Sequence, residues 1–114
     1  MKIEKLEDAI VWQRSKELAL KIYSQFKECL DHDFQRQIQR SAVSIMNNIA
    51  EGFERRTNKE FIRFLYIAKG SCAEVRSMLY LALELKYISR QEFELDYTMA
   101  IEISKMLSGF IKTL

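Results

Sequence analysis

Four basic side chains fall within nine positions of the stretch "NNIAEGFERRTNKEFIR", residues 47–63: Arg55, Arg56, Lys59 and Arg63. Arginine grips phosphate oxygens with a planar fork of N–H donors, two bonds at a time. Arg36 and Arg40 stand one helical turn apart upstream, and Lys69 follows downstream. Net charge is +2, but it is unevenly placed. Residues 1–33 carry six basic and seven acidic groups, residues 34–70 seven and three, and residues 71–114 five and six. The middle third holds the whole positive excess, which points to a polyanion such as RNA or DNA. A solvated charged face is the competing reading of the same run. No element is shaped to read base edges, so sequence preference is expected to be low. Tyr66 or Phe53 is a candidate for stacking on a base, with core packing the favoured reading of Phe53.

Other chemistries find less material. Glu51 and Glu74 are placed to face each other across two helices, yet a dinuclear bundle site also draws on Glu-x-x-His pairs. The chain has one histidine, His32, expected in a loop, and no Glu-x-x-His. A catalytic triad needs a base within reach of its nucleophile, and that lone histidine is poorly placed for one. No glycine-rich loop is present to cradle phosphates. The expectation is therefore a non-enzyme, without metal or cofactor. Cys29 and Cys72 lack metal spacing and read as buried free thiols of a reducing compartment, the cytoplasm. No apolar run approaches the ~20 residues of a membrane span. The N-terminal "MKIEKLEDAI" has no signal-peptide pattern.

The elements that position these residues are helical. At 114 residues the chain reads as one domain, 1–114. Proline is absent and glycine occurs three times, which favours long helices over turn-rich folds. Helix one is expected from Glu7 to Cys29, with Val11, Ser15, Leu18, Ile22, Phe26 and Cys29 on one face. The acids Glu7 and Asp8 would suit its positive end. Helix two runs from Phe34 to Phe53, with Phe34, Ile38, Ser41, Ala42, Ile45 and Ile49 as its apolar stripe. Gln37, Arg40, Ser44, Asn48 and Glu51 make a second, polar stripe. With Ser71 and Glu74 it is expected to form a hydrogen-bonded network that fixes helix register. Helix three starts after Thr57, where "TNKE" reads as a capping box, and buries Phe61, Leu65, Ala68, Cys72, Val75, Leu79 and Ala82. Helix four starts after Ser89, with Glu92 completing a second box and Ile88 and Phe93 a hydrophobic staple. Its stripe is Tyr97, Ala100, Ile103 or Ser104, Leu107, Ile111 and Leu114. Gly52 reads as a helix C-terminal or close-packing glycine. Short connections make these helices antiparallel neighbours, hence an all-α, up-down-up-down four-helix bundle.

Helix three is too apolar for a lone bundle. Opposite its core stripe lie Ile62, Tyr66, Ile67, Ala73, Met78, Tyr80 and Leu81. A helix apolar nearly all round is buried on more than one side. Gly70 and Ala73 would let another helix approach. A homo-oligomer through helix three is the expectation.

The stretches "IVWQRSKELALKIY", "QIQRSAVSIMNNIAEGFERRTNKEFIRFLYIAKGSCAEV" and "LALELKYIS" resemble the four-helix-bundle family encoded in intervening sequences of bacterial 23S ribosomal RNA genes. The resemblance covers about residues 8 to 110. It implies an antiparallel bundle assembling as a ring, commonly a pentamer. It also implies kinship with the accessory protein of diversity-generating retroelements, a basic pentameric barrel that partners a reverse transcriptase and contacts nucleic acid. Where that family usually has proline, within "S-I-P-S-N", this chain has Met46 and then Asn47. Without that proline, helix two is expected to run straighter. Residues and resemblance together imply an oligomeric bundle that binds nucleic acid or a nucleoprotein through the helix two–three corner. A protein–protein scaffold without direct nucleic-acid contact is the alternative.

Overall fold

A period of 3.6 in the apolar residues becomes four α-helices in the computed structural model, which describes residues 3–114. They are α1 (Ile10–Phe26), α2 (His32–Phe53), α3 (Asn58–Glu84) and α4 (Arg90–Thr113). A short 3-10 turn, Leu6–Asp8, precedes α1, and no strand occurs among the described residues. Neighbours in sequence pack on one another, and α4 packs back on α1, which closes a four-helix bundle. Its extents are 43 × 22 × 20 Å. The 27 residues of α3 account for about 40 Å of that length at 1.5 Å per residue.

The expected stripes supply the core. Every stripe residue assigned to α2 is buried, as are Leu65, Ala68, Cys72, Val75, Leu79 and Ala82 of α3. On α1 the stripe from Val11 to Phe26 is buried, whereas Cys29 lies beyond the helix and is half-buried. On α4 the buried set is Phe93, Asp96, Ala100, Ile103 and Leu107; Tyr97, Ile111 and Leu114 are only partly covered. The buried face of α4 therefore includes a carboxylate that periodicity of apolar residues cannot reveal.

Helix ends differ in how they are stopped. At α4 the box is complete: Glu92 N–H donates to Ser89 Oγ at 3.0 Å, and Ser89 N–H donates to Glu92 Oε1 at 2.9 Å. Ile88 and Phe93 are both buried beside it, as a staple requires. At α3 half the box forms: Glu60 N–H donates to Thr57 Oγ1 at 3.2 Å, and the hydroxyl turns toward the Glu60 carboxylate. The cap of α2 is Asp31, whose Oδ1 accepts from Phe34 N–H. That cap places His32 in the first turn of α2 rather than in a loop, a correction to the sequence reading. Likewise Glu7 and Asp8 belong to the 3-10 turn, and α1 begins at Ile10 without a side-chain cap. The α2 helix passes unbroken through Met46 and Asn47.

The α3–α4 connection closes on Lys86, at φ 63°, where glycine is the usual occupant. Lys86 N–H reaches Leu83 O and Tyr87 N–H reaches Ala82 O, the paired bonds of a Schellman ending. Tyr87 then packs edge-on against Phe34 and donates its hydroxyl to Asp31 Oδ2 at 2.7 Å. One tyrosine thus ties two connections together. Its hydrogen bond, followed by the Phe34 amide, holds the Asp31 carboxyl below its ordinary range.

Candidate nucleic-acid interface

The corner between α2 and α3 is built on a close approach. Gly52 is buried one residue before the end of α2. A Cβ there would lie 2.8 Å from Phe61 Cδ1 and 2.9 Å from Phe64 Cβ. Only hydrogen fits, so the helices meet tightly at their junction. The packing-glycine reading holds. Phe61 carries the contact onward, edge-on to Phe53 at 6.0 Å and to Phe110 of α4 at 5.3 Å. Phe53 is half-buried at the edge of the bundle, packed on Phe61 but outside the core cluster, so its assignment to core packing holds only in part.

Two of the four basic side chains converge on Phe64. The Arg55 guanidinium lies 4.5 Å from the ring centroid and the Arg63 guanidinium 4.7 Å. Cations over an aromatic face are worth ~0.5–1 kcal/mol each at exposed sites. Arg55 also donates to Glu51 at 2.9 Å, one turn back on α2. Arg55 is consequently committed in part to structure. Arg56, Lys59 and Arg63 are exposed and form no ion pair among the described residues. Glu51, Glu54 and Glu60 share the corner, so its formal excess is a single positive charge. The corner is a mixed-charge surface, with the Arg55 and Arg63 guanidiniums on Phe64 and Arg56 and Lys59 exposed, not a strongly cationic patch.

The six expected residues do not form one site. Arg40 precedes Arg55 by fifteen residues, about 22 Å along the helix axis. Arg36 and Arg40 instead line an open groove of about 430 Å³ with Tyr23, Gln39 and Asn47, and Arg36 pairs with Asp33 at 2.8 Å. Lys69 is half-buried, donates to Ser108 of α4 at 2.7 Å, and sits 6.0 Å from the Tyr66 ring. Tyr66 itself is 57% exposed.

The polar stripe of α2 is a seam with α3. Ser44 and Ser71 share a 2.9 Å hydroxyl bond, Ser41 donates to Glu74 at 3.3 Å, and Asn48 donates to Ser44 at both its carbonyl and its hydroxyl. The expected network forms in part: Ser44, Asn48, Ser71 and Glu74 belong to it, Ser41 joins from the apolar stripe, Gln37 and Arg40 make no side-chain bond in it, and Glu51 turns to Arg55. It also separates the two acids: Glu74 lies at the level of Ser41, and Glu51 lies ten residues further along α2 with Arg55. The two carboxylates do not face each other, contrary to the sequence reading. No cluster of three or more His, Cys, Asp or Glu side chains with metal-holding geometry occurs among the described residues. Cys72 is fully buried, and that burial pushes its thiol up to about 12, so it presents no thiolate.

Phe64 escapes the sequence reading. It stands three residues after Phe61 and four before Ala68, helical spacing that a second stripe on α3 would include.

The sequence and the fold both have known counterparts. The family model described as 23S rRNA-intervening sequence protein matches residues 7–109. A crystal structure of a protein with unknown function from the S23 ribosomal protein family, from Bacteroides thetaiotaomicron, is similar at a TM-score of 0.84 and 31% sequence identity. The match covers 90% of this chain and 96% of that one. No curated protein matches.

Proposed function

This chain belongs to the 23S rRNA-intervening sequence protein family, and we propose that it acts as a non-enzymatic, oligomeric binding protein of the cytoplasm. Its partner in this reading is nucleic acid or a nucleoprotein, engaged with low sequence preference through the α2–α3 corner. The observation that carries the reading is the exposed set Arg56, Lys59 and Arg63, without ion pairs among the described residues, with the exposed Tyr66 one helical turn beyond Arg63 on α3. Forked donors suit phosphate oxygens, and a tyrosine face suits an unstacked base. The groove at Arg36 and Arg40 is a separate, second contact for the same polyanion.

In the proposed arrangement the helices run up-down-up-down and the bundles form a ring, a pentamer by family resemblance. Antiparallel order is supported by paired residues that run in opposite directions: Ser41 with Glu74 but Ser44 with Ser71. Oligomerisation is supported by α3, where Ile67, Tyr80 and Leu81 are 41–52% exposed on a helix whose other side is core. A ring would repeat each weak phosphate contact around its axis, and such contacts add by multivalency.

Fluorescence anisotropy with a labelled structured RNA and a DNA duplex tests the reading, at about 50 and 200 mM salt, where phosphate-driven binding falls steeply. The variant Arg56→Ala/Lys59→Ala should weaken binding to all sequences alike and flatten the salt slope by about one for each phosphate partner removed. Unchanged affinity removes the corner from the interface. No binding at low salt favours the scaffold reading, for which the exposed apolar face of α3 is the specific support.

A further inference from the structure

Away from the corner, α1 and α4 meet around a buried carboxylate. Asp96 is 0% exposed, yet it has no cationic partner within ion-pairing distance among the described residues. Its Oδ1 accepts a 3.1 Å bond from Gln25 Nε2 of α1. Two oxygens of that pair remain buried without a partner, Asp96 Oδ2 and Gln25 Oε1. Both are acceptors as long as the acid is ionised. A planar amide and a planar carboxyl joined by one hydrogen bond need only one more hydrogen to complete a second. A protonated acid supplies it: Oδ2–H donates to Oε1 while Nε2–H donates to Oδ1.

We propose that Asp96 and Gln25 form a proton-operated clasp between α1 and α4, closed by two hydrogen bonds when the acid is protonated and left with two unpaired buried oxygens when it is ionised. The charges facing it are few. Lys21 of α1 favours the ionised form, and Glu92 of α4 disfavours it. On α3, Tyr80 packs against Phe93 and Tyr97 with Arg76 beside it, and neither Tyr80 nor Arg76 offsets the burial of Asp96. Burial is the dominant influence and lifts the carboxyl from 3.8 to about 6. Because the folded state holds this proton more tightly than the unfolded chain, the contribution to stability runs against the usual acid behaviour. It is fully present below about pH 4, is lost as pH rises to about 6, and stays lost above.

Replacing Asp96 with asparagine builds the closed clasp permanently, since an Asn amide donates to Gln25 Oε1 and accepts from Nε2 at any pH. Denaturant unfolding of the wild type and Asp96→Asn should coincide near pH 4 and diverge by about 100-fold in unfolding constant by pH 7.5, with the variant more stable. A difference independent of pH overturns the clasp. Carbon-13 titration of the intact protein decides the matter even where the variant does not fold. The Asp96 carboxyl carbon should titrate near pH 6, and the Gln25 side-chain carbonyl carbon should shift with the same midpoint. An Asp96 midpoint below about 4.5 overturns the proposal, as does a Gln25 resonance that ignores the titration.

Discussion

The α2–α3 seam and the α1–α4 seam both bury polar groups, and they solve the problem differently. Between α2 and α3 the groups are mostly hydroxyls and an amide: Ser41, Ser44, Asn48 and Ser71, each with a partner. A hydroxyl donates and accepts, so it can meet whatever faces it. Between α1 and α4 the buried pair is an amide and an acid, and two of its oxygens lack donors. An ionised carboxylate only accepts. In the proposed clasp the charge state of one carboxyl decides whether a buried polar contact is stabilising or costly, while the Ser44–Ser71 hydroxyl bond contains no titratable group. The glycines of the two regions also differ in their surroundings. The α2–α3 pair closes onto Gly52, whereas Gly109 of α4 has nothing within 4 Å of where a Cβ would stand.

The largest effect should come from spacing. Gly52→Ala forces α2 and α3 apart at the corner, and overpacking of this kind costs about 1–3 kcal/mol. Its counterpart, Gly109→Ala, should stabilise by about 0.5–1 kcal/mol, because alanine is the better helix former and space is available. Chemical denaturation of both variants checks the pair; equal effects would remove the difference in the space around the two glycines. Next comes the hydroxyl bond. A double-mutant cycle on Ser44→Ala and Ser71→Ala should give a coupling of about 1 kcal/mol. That coupling should be the same at pH 5 and pH 7.5, and a pH-dependent value would erase the contrast with Asp96. A similar gain is expected from Lys86→Gly, about 1 kcal/mol of relief at the left-handed position, read as a higher urea midpoint. The smallest effect belongs to the outer bond of the α1–α4 seam, Arg14 with Glu102 at 2.9 Å. Both side chains are partly solvated, so Arg14→Ala should cost a few tenths of a kcal/mol, falling further in high salt.

Sequence periodicity locates the four helices because each apolar stripe is long, and two of the starts carry their own chemistry. Ser89 with Glu92, and Thr57 with Glu60, fix those starts within a residue. The start of α1 is misjudged from sequence because no side chain caps it: the chain reaches Ile10 through a 3-10 turn. The place of His32 is misjudged because "LDHD" reads as loop until Asp31 is seen accepting from Phe34. Asp96 is invisible for a plainer reason. A lone acid in a helix is ordinarily solvated, and only the packing of α4 on α1 removes its water. The basic residues are legible as types but not as a group. Residues 36 to 63 are one stretch of sequence, yet the helix carries Arg36 and Arg40 about 22 Å or more from the corner. The role of Arg55 is equally hidden, since its stacking on Phe64 requires the turn that Gly52 permits.

The two guanidiniums on Phe64 have a thermodynamic consequence. Both sit on one ring, so their centres are at most about 9 Å apart, within the Debye length of about 10 Å at 0.1 M salt. Like charges held that close raise the free energy of the folded corner, and Glu51 answers only one of them. A bound anion would relieve the repulsion where the unfolded chain, with its arginines far apart, gains nothing comparable. Melting temperature then becomes a ligand gauge. A phosphate-bearing ligand at about 100 times its Kd should add about 2.7 kcal/mol to unfolding, a gain that calorimetry of the protein mixed with ligand reads directly.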